Sequence, residues 1–162
     1  MTEPQFAYLI YIRATPEQVW NGLRDPEMTR QYWMHENVSD WKTGSSWTHK
    51  RTDAAGTVDI VGEVLESDPP RRMVLTWAQP MDAKNPEKIS RVTFELESQD
   101  WPGGPWVSLK VTHSDLEADS EMFHSVSFGW PALMSVFKTL LEDKKEASTG
   151  EVADWTVSQE SA

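Results

Sequence analysis

Cysteine is absent from all 162 residues of the sequence. Its absence excludes disulfide bonds and thiol nucleophiles, because both require a cysteine sulfur. A chain without disulfides suits a reducing compartment, and we therefore expect a cytoplasmic protein.

Long apolar runs and an excess of positive charge are also missing. No segment reaches the roughly 18 consecutive apolar residues of a membrane-spanning helix, and the amino terminus lacks the basic region that opens a signal peptide. The formal net charge is −11 at pH 7. So acidic a chain repels phosphate groups, and we expect neither nucleic acid nor an anionic membrane surface as a partner.

The patterns that bind metals or nucleotides are missing as well. No two of the four histidines have the i, i+4 or short-loop spacing of a metal site: His35, His49, His113 and His124. There is no glycine-rich phosphate loop and no G-x-S-x-G nucleophile turn. We therefore expect no metal and no other cofactor, and we assign no catalytic residue.

Two short helices are predicted near the amino terminus. Thr15 followed by Pro16 and Gln18 forms a capping box with proline at the first helical position. Asp25 and Pro26 repeat the start signal immediately afterwards. The sequence thus predicts an apolar first strand over residues 6–13 and then two helices.

The rest of the chain predicts an antiparallel sheet and one long helix. Period-2 alternation predicts strands over 45–51, 58–67, 72–79, 89–98 and 105–114, joined by short turns. Helical spacing of apolar residues predicts a helix over about 120–146. The order β-α-α-β-β-β-β-β-α defines an α+β fold, in which a curved antiparallel sheet surrounds the long helix.

Four motifs carry a resemblance to a known family: ATPEQVWNGLRDPEMTRQYW, WKTGSSWTHK, GEVLESDPPRRMVLTW and GWPALMSVFKTLLE, in this order. Over about residues 6–145 the chain resembles the START-like (SRPBCC) superfamily, and within it the family named after the activator of heat-shock protein 90 ATPase. The resemblance implies a helix-grip fold of the START/Bet v kind, with an elongated cavity between sheet and long helix. We expect one domain over residues 1–146 and an acidic, flexible tail over 147–162 that contains Trp155.

The long helix contains two residues that disfavour helix. Pro131 lacks an N–H and crowds the carbonyl of Ser127, while Gly129 relaxes the same turn. We therefore predict bent or interrupted helical geometry between Ser127 and Pro131. Such a break either tilts the first half of the helix as a cavity lid or lets the helix follow a curved sheet.

Aromatic residues are the main indication of a site, since the sequence contains nine tryptophans. We predict a cavity lined by aromatic side chains with one or two histidines as polar groups: Trp33, Trp47, Trp77, Phe94, Phe123 and Trp130 with His49 and His124. Plain core packing is the alternative explanation of the same aromatic residues.

Three functions are compatible with this pattern. The first is binding of a hydrophobic or aromatic small molecule without defined catalysis. The second is a cyclase or hydratase in which His49, His124 or Glu63 acts as acid or base. The third is a protein-interaction module, either chaperone-linked or forming a homodimer.

Overall fold

A computed structural model of the protein describes residues 5–149. The seven strands run over β1 Phe6–Ile12, β2 His35–Ser39, β3 Ser46–Arg51, β4 Val58–Asp68, β5 Arg72–Trp77, β6 Ser90–Gln99 and β7 Trp106–Ser114. The three α-helices run over α1 Pro16–Arg24, α2 Pro26–Trp33 and α3 Glu121–Thr149. Within these residues, no helix is both long enough and apolar enough to cross a membrane.

All seven strands form one antiparallel sheet in the order β1-β7-β6-β5-β4-β3-β2. The predicted helix-grip fold of the α+β class is therefore confirmed. Strand β1 pairs with β7, which brings the amino-terminal strand beside the last strand of the meander. Lys138 Nζ of α3 donates to the Tyr11 carbonyl at 2.9 Å, which ties the long helix to this end of the sheet.

The capping motifs form as the sequence predicts. The Gln18 N–H donates to Thr15 Oγ1 at 3.1 Å, and the Thr15 N–H donates to Gln18 Oε1 at 2.9 Å. The Glu27 N–H donates to Asp25 Oδ1 at 3.0 Å. Each bond satisfies a backbone N–H that the first turn of a helix leaves without a partner.

Strand β2, with the sequence HENVS, is absent from the predicted order. Its composition gives no apolar alternation, because the one buried side chain in it is the polar Asn37. Met34 precedes the strand with φ of 58°, a left-handed conformation that ends α2 and reverses the chain. The strand then pairs with β3 at the edge of the sheet.

The core lies between the concave face of the sheet and α3. Strands β6 and β7 point alternate apolar residues inward as predicted: Val92, Phe94, Leu96, Val107, Leu109 and Val111 are all buried. Helix α3 supplies the opposite face with buried residues at helical spacing: Val126, Trp130, Met134, Phe137 and Leu141. Gly22 of α1 allows a close approach, because a Cβ there would lie 2.5 Å from the Phe137 ring.

Helix α3 is continuous through Gly129 and Pro131, so the predicted interruption is not found. The physical reason is packing: Trp130 and Met134, on either side of the proline in the sequence, are both buried against the sheet. Ser127 Oγ donates to the Phe123 carbonyl at 2.7 Å, and Ser135 Oγ donates to the Pro131 carbonyl at 2.9 Å. A bend within the continuous helix stays a prediction, and such hydroxyl bonds to the preceding turn favour one.

The long helix extends three residues beyond the predicted domain boundary at residue 146. The rest of the predicted tail, including Trp155, lies outside the described residues.

Candidate functional site

Two adjoining cavities lie between the amino-terminal half of α3 and the sheet. The first, which we call the tryptophan cavity, has a volume of about 260 Å³ and is lined by Trp33, Trp77, Ser125, Val126, Gly129, Trp130 and Leu133. The second, the acidic cleft, has a volume of about 510 Å³ and is lined by Asp59, Ile60, Trp77, Gln79, Asp82, Lys88, Glu117, Ser120, Glu121, Met122, Ser125 and Val126. Trp77, Ser125 and Val126 belong to both, so the two spaces meet at these residues.

Three indole rings surround the tryptophan cavity. Trp33 comes from the end of α2, Trp77 from the end of β5 and Trp130 from α3. The ring centroid of Trp33 lies 6.4 Å from that of Trp77 and 5.5 Å from that of Trp130. Trp77 and Trp130 are 5.8 Å apart. Three separate elements thus present aromatic surface to one space, as ligand cavities commonly do.

A buried hydrogen-bond chain holds the ring of Trp130 and the backbone of Trp77 in place. Trp130 Nε1–H donates to His113 Nδ1 at 3.1 Å, and His113 pairs through Nε2 with Ser90 Oγ at 2.7 Å. Ser90 Oγ then donates to the Trp77 carbonyl at 3.1 Å. Since Nδ1 accepts, the proton of the neutral imidazole is on Nε2. Burial lowers the pKa of His113 to about 3, so the ring is neutral at physiological pH.

His113 was not among the predicted site residues, although the sequence contains a signal for it. His113 has the same parity on β7 as Val107, Leu109 and Val111, and all four side chains are buried. Strand parity alone therefore places this histidine on the concave face, behind the tryptophans.

His49 packs against Trp33 and belongs to a second cluster of polar side chains, which also contains Asn37 and His35. Its Nδ1 donates to Asn37 Oδ1 at 2.5 Å, and its ring stacks on His35 at 3.9 Å with an interplanar angle of 5°. Burial, followed by the neighbouring charge of His35, lowers the pKa of His49 to about 3. His49 is therefore a neutral ring, fixed by the amide of Asn37 and packed edge to face against Trp33 at 4.9 Å.

His35 connects this group to the surface. Its Nδ1 lies 2.8 Å from the Trp33 carbonyl, and its Nε2 lies 2.8 Å from Asp59 Oδ2. Both neighbours are oxygen atoms that accept hydrogen bonds. Arg51 Nε also donates to Asp59 at 2.8 Å, and the bonds from Arg51 and His35 lower the pKa of Asp59 to about 2. Asp59 thus lines the acidic cleft as a carboxylate that is already paired with Arg51 and His35.

Two further predicted aromatic residues lie behind the cavity wall. Trp47 is 1% exposed, and its Nε1–H donates to the Thr76 carbonyl at 2.8 Å. Phe94 is buried and meets Trp130 edge to face at 5.9 Å. Both support the lining tryptophans and neither lines the two cavities themselves.

Phe123, His124 and Glu63 also lie outside the lining of both cavities. Phe123 packs against the edge of the core. His124 is mostly exposed, and its Nε2 lies 2.6 Å from Asp119 Oδ1. The side chain of Glu63 is exposed, and its backbone N–H donates to Thr76 Oγ1 at 2.8 Å. Of the eight predicted site residues, the structure brings Trp33, Trp77 and Trp130 together around one space.

The acidic cleft contains four carboxylates that were not among the predicted site residues. Two of them are paired, since Glu117 meets Lys88 Nζ at 2.7 Å and Asp59 meets Arg51. Asp82 and Glu121 add two more negative charges. Asp82 and Glu117 lie outside the strands and helices whose periodicity reveals direction, so sequence alone does not show that they converge. Among the side chains of residues 5–143, no group of three histidines, aspartates or glutamates is placed to hold a metal ion.

A curved sheet around one long helix, with an aromatic cavity between them, defines the helix-grip class of protein. The sequence model of the family described as Activator of Hsp90 ATPase homolog 1-like protein matches residues 13–142, and the chain belongs to this family. No curated protein matches the sequence.

Solved structures share the fold. Protein MLL2253 from Mesorhizobium loti is 23% identical with a TM-score of 0.69, and the match covers 86% of this chain and 97% of that one. PFC0360w, an HSP90 activator from Plasmodium falciparum, is 21% identical with a TM-score of 0.67, covering 85% and 96%. The Aha1 dimer from Colwellia psychrerythraea is 17% identical with a TM-score of 0.69, covering 86% and 96%. At these identities the likeness concerns the fold.

Proposed function

We propose that this protein binds a hydrophobic, aromatic small molecule in the tryptophan cavity, without a defined catalytic step. The observation that carries the proposal is the convergence of Trp33, Trp77 and Trp130 on a space of about 260 Å³. This space is an open groove beside α2, β5 and α3, and its lining is mostly apolar, as the linings of ligand sites usually are. The adjoining acidic cleft gives a longer ligand room for a polar end.

The surrounding contacts support a cavity that is formed before the ligand arrives. Trp130 is held by His113, and the backbone of Trp77 is held by Ser90. Fixed walls lose little conformational entropy when a ligand binds, which favours affinity. A planar bicyclic ligand would then bind with a dissociation constant on the order of 10 µM, judged from the usual contribution of each ligand atom.

Thermal unfolding with 2-acetylnaphthalene as the probe tests the proposal. At a ligand concentration about ten times the dissociation constant, Tm should rise by about 3 °C. Trp33→Ala removes one wall and should weaken binding about tenfold. Trp101→Ala is the matched control, since Trp101 lies in the β6–β7 turn and is 43% exposed. If no planar probe shifts Tm in wild type, or if both substitutions weaken binding equally, the proposal fails.

The cyclase or hydratase alternative has less support. Its three candidate groups, His49, His124 and Glu63, all lie outside the lining of the two cavities. A proton donor or acceptor must reach the reacting atom within about 3 Å. The binding proposal therefore includes no acid or base.

A homodimer or a chaperone complex is a second candidate. Helix α3 exposes Phe128 by 83% and Val136 by 51%, and these apolar side chains are available to a protein partner. Among proteins of the same fold, one is described as a dimer and another as an HSP90 activator. Sedimentation velocity of wild type and Phe128→Ser tests self-association, and co-purification tests binding of a chaperone.

We also propose a cytoplasmic location, which the absence of cysteine supports.

A further inference from the structure

Strand β1 forms one edge of the sheet. In the order β1-β7-β6-β5-β4-β3-β2 it pairs with β7 on one side, and no other strand of residues 5–149 pairs with its second side. An edge strand presents unpaired N–H and C=O groups to other strands, and natural proteins usually protect it with charged residues, proline or a bulge. The sequence of β1, FAYLIYI, contains no charged residue and no proline, and its register against β7 has no shift. This edge therefore lacks the usual protection against pairing with another strand.

The register of the sheet shows which backbone groups of β1 point outward. The Leu96 N–H donates to the Arg71 carbonyl, so the backbone of Leu96 faces the β5 side of β6. Since successive residues of a strand bond to opposite sides, the unbroken registers of β6 with β7 and of β7 with β1 leave the odd-numbered residues of β1 pointing away from β7. The bond from Lys138 Nζ of α3 to the Tyr11 carbonyl agrees with this parity.

Helix α3 covers only one end of this outer edge. The Tyr11 carbonyl is already occupied by α3, and the Arg13 N–H donates to Glu142 Oε2 of the same helix at 2.9 Å. Among the described residues, no hydrogen bond from outside the sheet reaches Ala7 or Leu9. The outward N–H and C=O groups of these two residues are therefore available to another strand.

The side chains along this edge are apolar. Leu9 and Tyr11 are 51% and 40% exposed, and Ala7 is exposed beside them. On the other face of the strand, Tyr8 and Ile10 pack against the core and are only partly buried. An uncharged strand with exposed apolar side chains fits an apolar strand of the same kind.

We infer that two copies of this protein associate through their β1 strands, which pair antiparallel and continue the sheet from one copy into the other. Ala7 of each copy lies opposite Leu9 of the other, and Tyr8 lies at the twofold axis. Each such pair of residues exchanges two hydrogen bonds, and the register leaves the Tyr11 carbonyl with Lys138. The inference does not depend on ligand binding, and it gives a homodimer an interface on β1 instead of the exposed face of α3.

Charge and symmetry identify the partner as a second copy. The formal net charge of −11 makes copies repel one another, so a contact between them needs a surface without charge, and β1 supplies one. In the twofold register the small Ala7 faces the larger Leu9, and Phe6 faces Ile10, so that apolar side chains meet across the interface. The other edge strand of the sheet, β2, carries the charged Glu36 and is less suited to pairing.

Sedimentation velocity between about 5 and about 500 µM tests the inference. With rising concentration, wild-type protein should shift from the 18.5 kDa of one chain toward about twice that mass. Leu9→Lys introduces the kind of charge that protects natural edge strands, and it should weaken association at least about tenfold. Val136→Lys is the matched control, because Val136 on α3 is also 51% exposed. This control should leave association within about twofold of wild type.

Amide hydrogen exchange of the wild-type protein, followed by nuclear magnetic resonance, gives a second measurement that needs no variant. The Ala7 and Leu9 N–H groups should exchange at least about tenfold more slowly at the highest protein concentration than at the lowest, because only the dimer pairs them. The Tyr8 and Ile10 N–H groups bond to β7 in the monomer, so their exchange should change much less.

The outcomes separate this inference from the proposed function. If wild type remains a monomer at about 500 µM, the inference is wrong and the proposed ligand binding is unaffected. If Val136→Lys weakens association as much as Leu9→Lys does, or if exchange at Ala7 and Leu9 does not depend on concentration, the copies associate through another surface and the inference is equally wrong. A selective effect of Leu9→Lys together with concentration-dependent exchange supports the inference, whether or not an aromatic probe binds in the tryptophan cavity.

Discussion

Acidification should begin to destabilise this protein above the pH at which its carboxylates are protonated. His49 and His113 are both buried, and burial lowers the pKa of each from 6.5 to about 3. Below pH 6.5 the unfolded chain takes up a proton at each ring, whereas the folded chain does not. Protonation therefore favours the unfolded state, and stability is complete above about pH 7 and lost as the pH falls from 6.5 toward 3.

The magnitude follows from these pKa values. At pH 5.5 each histidine lowers the free energy of unfolding by about 1.4 kcal/mol, and at pH 4.5 by about 2.7 kcal/mol. The two together remove about 5 kcal/mol at pH 4.5, which is comparable to the whole stability of many domains. The pKa of Asp59 is lowered to about 2, so its contribution is lost as the pH falls from 3.8 to 2, which is below pH 4.5.

Urea unfolding at pH 7.5, 6.5, 5.5 and 4.5, followed by circular dichroism, measures this dependence. His49→Gln should reduce the change between pH 7.5 and 4.5 to about half of the wild-type value. His124→Gln is the matched control and should leave the change as it is, because His124 is exposed. Wild-type stability that stays level between pH 7.5 and 5 would refute the assignment of both buried histidines as neutral.

Three substitutions test the packing around the site, each by urea unfolding at pH 7.5. Gly62→Ala should destabilise by about 3 kcal/mol, because its Cβ would overlap the Thr76 carbonyl group and lie 2.7 Å from the carbonyl carbon. Unchanged stability would show that β4 and β5 can separate without loss. Gly129→Ala should instead raise the free energy of unfolding by up to about 1 kcal/mol, since nothing lies within 4 Å of the added Cβ. A clear loss of stability would mean that the helix needs glycine at this position in order to bend. Ser90→Ala should lower the free energy of unfolding by about 1–3 kcal/mol, because His113 Nε2 then loses its buried partner. Unchanged stability would mean that the bond from Ser90 does not stabilise the His113 ring.

Periodicity and capping determined the parts of the fold that sequence could predict. Val92 and Val107 begin inward-facing alternations that run through β6 and β7, and tertiary packing preserves both. The capping box at Thr15 depends on neighbouring residues alone, so it needs no knowledge of the fold. Strand β2 could not be predicted, since its pairing with β3 is a tertiary contact and its buried side chain, Asn37, is polar.

The sequence predicted some of the residues of the candidate site but not their arrangement in space. Trp33, Trp77 and Trp130 were expected near one space, and the structure places them there. Trp47 and Phe94 are also buried aromatic residues of the core, and only three-dimensional contacts distinguish a supporting ring from a lining one.

The most direct test of ligand binding is the response of the indole N–H signals to 2-acetylnaphthalene in the wild-type protein. We expect the signals of Trp33, Trp77 and Trp130 to shift on titration and to saturate together. Trp20 and Trp41 serve as internal controls, because they border a separate depression on the surface and should not respond. Saturable shifts at Trp20 and Trp41 alone, or no shift at any tryptophan, would contradict the assignment of the tryptophan cavity as the binding site.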